Sequence, residues 1–186
     1  MQQLANIEFF NYEGEVWYHL ADGTMDRLLE QNTTVVDAVL HKIEEFYPGA
    51  FAALAAEYSR CKPNLPMYRY RIVKRFVRCN FGNIDNVQDI DGTGTWHLEC
   101  VPCPLRGECR LENIVCRPAF NHKISDAEFR VLRLWYMGNN KDEIANALYL
   151  SVHTINNHIQ NAFVRLGIHE KAEFFKYAKE HKLFEP

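Results

Sequence analysis

A chain of 186 residues suits one large or two small domains, since domains are most often roughly 100 to 150 residues long. Its net charge of −3 and isoelectric point near 6.2 give no global signal for nucleic acid. No stretch approaches the ~20 consecutive apolar residues that span a bilayer, and the opening MQQLANIEFF lacks the basic and apolar regions of a secretory leader. A cytoplasmic protein without membrane contact is expected, and in that reducing compartment six cysteines are better suited to a metal than to disulfides.

The charge is unevenly spread. Residues 1–59 carry a net −8, residues 60–118 a net +4 and residues 119–186 a net +1, so an acidic head precedes a basic middle. Within the head, the aromatic and partly alternating IEFFNYEGEVWYHL (7–20) predicts a hairpin turning at Glu13-Gly14. From Thr33 or Thr34, the residues Val35, Val36, Val39, Leu40, Ile43 and Phe46 keep helical spacing up to Pro48-Gly49. A second helix follows over Ala50–Tyr58 and ends at Cys61-Lys62-Pro63 and Pro66. With neither a phosphate loop nor paired catalytic carboxylates, residues 1–60 read as a small packing or interaction module. Its acidity makes it a surface for a protein partner.

Residues 68–81, YRYRIVKRFVRCNF, alternate aromatic or branched residues with Arg and Lys, a pattern that predicts a strand. Tyr68, Tyr70, Ile72 and Phe76 face one way on that reading, and Arg69, Arg71 and Arg75 the other. The arginine row either follows phosphates or is a solvated face beside the acidic head. Residues 82–95 hold Asp85, Asp89 and Asp91-Gly92, but Val87 stands where a calcium loop would begin and offers no side-chain oxygen. A hairpin loop is expected there, with residues 95–101, TWHLECV, as the returning strand.

Next comes CVPCPLRGECRLENIVC, Cys100 to Cys116, with spacing C-x2-C-x5-C-x6-C. Four thiolates so close in sequence can close tetrahedrally on one ion, as in structural zinc sites. Iron–sulfur clusters also take four thiolates. Cys103, Cys109 and Cys116 belong to either ligand set, and the fourth ligand is Cys100 or Cys79. The segment CPLRGEC also resembles the short cysteine motifs of MutY-type DNA glycosylases and WhiB-like regulators. That resemblance spans ten residues and implies a 4Fe-4S cluster with a fourth cysteine farther away. Zinc is the cofactor expected, with a 4Fe-4S cluster as the alternative.

After Pro118–Lys123 the pattern becomes fully helical. Ser125 with Glu128 is a capping box opening a helix with apolar Phe129, Val131, Leu132, Leu134 and Trp135, and Gly138 ends it. Asn140 with Glu143 repeats the cap before Ile144, Ala145 and Leu148, and a turn at Tyr149–Ser151 leads into a helix over 152–166. There Ile155, Ile159, Ala162, Phe163 and Leu166 make one apolar face, while His153, Asn157, Gln160 and Asn161 make a polar face edged by Asn156. Asn and Gln pair bidentately with adenine in the major groove, and two short helices joined by a tight turn fit a bihelical DNA-reading unit. Gly167 closes this helix, and a fourth over 170–181 carries Phe174, Phe175, Tyr177 and Ala178.

These residues resemble the LuxR-type (GerE-type) helix-turn-helix domain of bacterial transcription regulators. The positions that carry the resemblance include Ile124, Ser125, Glu128, Leu132, Gly138, Glu143, Ile144, Ala145, Leu148, Ser151, Thr154, Ile155, His158, Arg165, Leu166 and Gly167. The resemblance implies that the third helix enters the major groove, the second crosses the phosphates and the fourth pairs two protomers. It nominates Lys141, His153, Thr154, Asn156, Asn157, His158, Gln160, Asn161 and Arg165 for DNA contact. Asp142 and Asn156 stand where that family usually has Lys, which removes two cations from the phosphate-facing surface.

The sequence therefore predicts an α+β protein. A mixed helical and β-hairpin domain with a four-cysteine centre spans residues 1–118, and an all-α helix-turn-helix domain spans residues 119–186. The function implied is a non-enzymatic transcription regulator that binds double-stranded DNA as a homodimer. A nucleic-acid-processing enzyme and a protein-binding adaptor are the rival readings. The residues before 119 lack the βα alternation of a receiver domain, so control by phosphorylation is not implied.

Overall fold

The computed structural model describes residues 5–82, 84, 85, 87–92, 94–181, 183 and 184. The sequence readings that fall on residues 1–4 and on Asn83, Asn86 and Thr93 lie outside these. The chain divides into two compact units, Met1–Ala119 and Phe120–Pro186. Among the described residues, no helix is long and apolar enough to cross a membrane.

The first unit opens with an antiparallel sheet of β1 (Ile7–Tyr12), β2 (Glu15–Leu20) and β3 (Met25–Arg27) in that order. Tyr12 pairs with Glu15, so Glu13-Gly14 is a two-residue loop. Both residues have positive φ, 50° and 78°, which matches the right-handed twist of the flanking strands. The predicted hairpin is therefore present, and β3 extends it. Helices α1 (Thr33–Phe46) and α2 (Pro48–Glu57) also form where the periodicity placed them. Pro48 occupies the first turn of α2 rather than a gap between helices, because proline there gives up an amide that has no partner anyway.

The strand expected over 68–81 is instead a helix, α3 (Leu65–Asn80). Asn64 caps it by accepting a hydrogen bond from the Met67 amide at 3.2 Å, and Pro66 sits in the first turn. Its buried residues are Ile72, Val73, Phe76, Val77 and Asn80, spaced one and three to four apart as a helical stripe requires. Ile72 and Phe76 satisfy both periods; Val73 and Val77, on the wrong face of a strand, decide for the helix. The returning strand over 95–101 is absent too. Trp96 makes one isolated bridge to Ile90, which in turn bridges to Ile7, while the His97 and Glu99 amides go to the Asp89 and Asn80 carbonyls instead of a ladder.

The core of this unit lies between sheet and helices. Phe9, Val39, Ile43, Leu54, Ile72, Phe76 and Phe81 are fully buried, and Trp96 packs against the rings of Tyr47, Phe76 and Phe81 at 5.8–6.0 Å. Two carboxylates are enclosed beside it. Asp89 accepts from the Phe9 amide at 2.6 Å, and Glu8 accepts from the Asp85 and Asp89 amides at 3.1 and 3.2 Å. Burial, together with Glu8, Glu99 and Asp85 nearby, pushes Asp89 up to about 8, although the Phe9 amide opposes the shift. These bonds hold Asp85 and Asp89 against β1, so main-chain donors of the strand and of these residues are satisfied by side chains.

Among the described residues, the second unit has four helices, α4 (Asp126–Tyr136), α5 (Lys141–Leu148), α6 (Val152–Leu166) and α7 (Lys171–Glu180). Val131, Leu132, Ile144, Ile155, Ala162 and Phe174 form its centre. The capping boxes at Ser125/Glu128 and Asn140/Glu143 are both closed, and a third joins Glu170 to Glu173. Gly138 and Gly167 have φ of 96° and 67°, which lets the chain leave α4 and α6 through the left-handed region.

Candidate functional site

Helix α6 is fixed by its ends and its buried side. Ser151 Oγ accepts from the Thr154 amide at 3.0 Å, Ile155 and Ala162 are fully buried and Ile159 nearly so. This orientation leaves His153, Asn157, Gln160, Asn161 and Arg165 exposed, with Thr154, Asn156 and His158 half-buried at the edges. Asn157 Nδ2 and His153 Nε2 are 3.3 Å apart, one turn of helix along the same face. Lys141 is exposed at the first position of α5, next to the Asn140 cap, and Asp142 beside it is exposed as well. The α5–α6 connection passes through Tyr149, a non-glycine residue with φ of 54°.

Two features of this surface were not legible in the sequence. Arg165 Nη1 donates to Glu128 Oε2 at 3.0 Å, and the Glu128 side chain is 3% exposed while Arg165 is half-exposed. The same carboxylate oxygen accepts from the Ser125 amide and hydroxyl at 2.7 and 2.8 Å. Arg165 therefore ties the end of α6 to the cap of α4, and any phosphate contact would use the part left exposed. The second feature is apolar: Tyr149, Leu150 and Val152 are exposed together around the turn, Tyr149 almost completely. A loop position of an aromatic residue gives no periodicity to read.

Helix α7 uses more of its apolar surface within its own unit than its composition implied. Phe174 and Ala178 are buried. Phe175 stacks on Tyr136 at 5.4 Å, and Tyr177 lies 4.3 Å from the His181 ring. Burial pushes the Tyr177 hydroxyl up to about 12. His122 packs between Phe120 and Phe129, and its Nδ1 is buried without a hydrogen-bond partner. Burial, with a smaller contribution from His181, lowers His122 to about 4.

The cysteines are sorted by the fold. Cys79 lies near the end of α3, and Cys103, Cys109 and Cys116 lie in the turns that follow Trp96; all four line one cavity of about 460 Å³. Asn80 Nδ2 donates to the Val115 carbonyl at 2.8 Å, and the Glu99 amide donates to the Asn80 carbonyl at 2.8 Å. These bonds bring the cysteine loop to the end of α3. Cys100 is exposed and outside the cavity wall. Its thiol is held below the usual range by Arg117 and Arg106, at 3.8 and 3.6 Å. Burial pushes the Cys79 thiol up, against the pull of Arg75, and Cys116, Cys103 and Cys109 add to the rise. Among the described residues, no three His, Cys, Asp or Glu side chains gather closely enough to hold a single metal ion.

The basic strip of residues 69–78 is partly spent inside the unit. Arg69 pairs with Asp37 of α1 at 3.1 Å, on the surface, and Lys74 with Glu15 of β2 at 2.7 Å, so two of its cations are paired with carboxylates of the acidic head. Arg75 and Arg78 line the cysteine cavity.

Comparison with known proteins bears on the second unit. Residues 122–178 match the family model for bacterial regulatory proteins of the luxR family. The resemblance read from the capped helices is thus upheld, and this segment is a LuxR-type helix-turn-helix domain. The Fimbriae Z protein of Salmonella typhimurium (strain LT2) is 43% identical over 60 residues, which is 32% of this chain and 29% of that protein. The chain therefore spans less than a third of that relative's length. No solved structure matches.

Proposed function

We propose that this protein is a transcription regulator that binds double-stranded DNA through α6. The observation that carries the reading is the exposed row His153, Asn157, Gln160 and Asn161 on a helix held by Ile155, Ile159 and Ala162, inside the segment that matches the luxR family. Neutral donors and acceptors of this kind read base edges in the major groove. In the bihelical arrangement the N-terminal part of the second helix contacts the bases, which gives Val152, His153, Asn156 and Asn157 that role. Thr154, His158, Lys141 and the exposed part of Arg165 then lie toward the backbone. The exposed Tyr149 and Val152 add apolar surface of the kind that meets a thymine methyl.

The same reading makes the protein a homodimer on DNA, paired through the half-exposed side of α7 at Phe175 and Tyr177. A palindromic target is the consequence. The acidic first 59 residues remain the surface for a protein partner. Labelled genomic fragments selected by the protein and then incubated with it, with and without Mg2+, test the function. A regulator shifts the fragments and leaves them intact. Cleavage or base release would make it an enzyme on nucleic acid, and failure to select any fragment would favour an adaptor.

A further inference from the structure

The cavity at the end of α3 is independent of the DNA-binding reading. We propose that Cys79, Cys103, Cys109 and Cys116 hold a four-iron, four-sulfide cluster in this cavity, and that Cys100 is not a ligand.

Three observations converge on it. The first is the ligand geometry. A tetrahedral zinc site needs its sulfurs about 3.8 Å apart, given a Zn–S bond of about 2.3 Å, and the described residues bring no three ligating side chains onto such a point. The four cysteines instead line a space of about 460 Å³. A cubane cluster interposes its own iron and sulfide between four thiolates, so it spans a wider ring of cysteines than one ion does. The second is charge. Four thiolates around such a cluster leave a net negative charge, and Arg75, Arg78 and Arg106 line the same cavity. Arg75 Nη2 already donates to Cys109 Sγ at 3.6 Å, while its Nε is buried and without a partner. A donor so placed is satisfied by a sulfide or thiolate, since buried polar groups are rarely left unpaired.

The third observation is the chain itself. From His97 to Lys123 the backbone forms turns and no helix or strand. Connections of that length without secondary structure are uncommon in compact domains unless something organises them. Here the organising contacts run through Asn80, next to Cys79, and through Gly107, whose amide donates to Glu112 at 2.6 Å and whose φ of 83° turns the chain between Cys103 and Cys109. Val101, Pro102, Leu105 and Leu111 supply apolar cover on the cavity wall.

The full-length protein, produced in iron-supplied cells and purified without oxygen, should be brown, with broad visible absorption and about four iron and four acid-labile sulfide per chain. Cys100→Ser should keep colour and iron; Cys79→Ser should lose most of both. The wild-type metal content and the exposed Cys100→Ser variant test the proposal independently of whether Cys79→Ser folds. One zinc per chain with no visible absorption would overturn the cluster in favour of a single ion. Loss of iron from Cys100→Ser with retention in Cys79→Ser would overturn the ligand set. A protein that contains neither iron nor zinc and keeps its stability in Cys103→Ser would remove the site.

Discussion

The buried titratable groups of the two units should respond to acid in opposite directions, because each unit encloses a different kind. In the first unit Asp89 is pushed up to about 8 by burial and by its acidic neighbours. In the second His122 is lowered to about 4 by burial. A carboxyl whose folded value is raised binds its proton more tightly folded than unfolded. Its contribution is complete below about 3.8 and is lost as pH rises toward 8. An imidazole whose folded value is lowered works the other way, and the unit loses stability as pH falls from about 6.5 to 4. The difference teaches that the first unit encloses polar groups and answers them with distant main-chain donors, whereas the second is built from locally capped helices around a small apolar centre.

The largest effect should come from emptying the first core. Phe76 is fully buried between Tyr47 and Trp96, and Phe76→Ala should cost about 3–5 kcal/mol, read as a lower denaturant midpoint for α3 amide exchange. A loss below about 1 kcal/mol would show that α3 is not the centre of that core.

Next in size is the acid response of the first unit. Asp89→Asn keeps an acceptor for the Phe9 amide and cannot ionise, so the decline of α3 protection between pH 4 and 8 should shrink by an amount on the order of a few kcal/mol. Glu8, also raised by burial and adjacent to Asp85 and Glu99, should leave a residual slope. An unchanged slope in Asp89→Asn would assign the response elsewhere.

Within the second unit, Arg165 and Asn157 separate structure from recognition. Arg165→Ala removes the charged partner of the buried Glu128 and should destabilise the unit by about 1–3 kcal/mol, besides weakening binding to all sequences. Asn157→Ala should leave the melting transition in place and cost about 1–3 kcal/mol only on the selected site. Equal losses on selected and random DNA would end the base-reading role of Asn157. For His122, half-exposed and therefore discounted for solvent, the loss of α6 protection between pH 6.5 and 4 should be about 1–2 kcal/mol and should vanish in His122→Phe. The smallest effect belongs to the cap: Ser125→Ala should cost about 1 kcal/mol, as Glu128 keeps its bonds to the Ser125 amide and to Arg165.

Local sequence determined the second unit almost entirely. Ser125, Glu128, Asn140, Glu143 and Ser151 act within three residues of themselves, and apolar residues at helical spacing place α4 to α7 without reference to the rest of the chain. The hairpin at Glu13-Gly14 was legible for the same reason: two positive φ values in a two-residue loop are a local demand. What local sequence could not supply was the environment of α3. Tyr68, Tyr70 and Ile72 alternate as a strand does, and only burial against α1, α2 and the sheet shows that Val73 and Val77 share the inner face with Ile72 and Phe76. The choice among cysteines was tertiary as well. Spacing alone groups Cys100 with Cys103, but Asn80 draws the 99–116 loop to the end of α3, which sets Cys79 in the cavity wall and leaves Cys100 outside. Arg165 follows the same rule, since its partner Glu128 is 37 residues away. Capping and periodicity are properties of neighbours along the chain, and the partners of α3, Cys79 and Arg165 are neighbours only after the chain has folded.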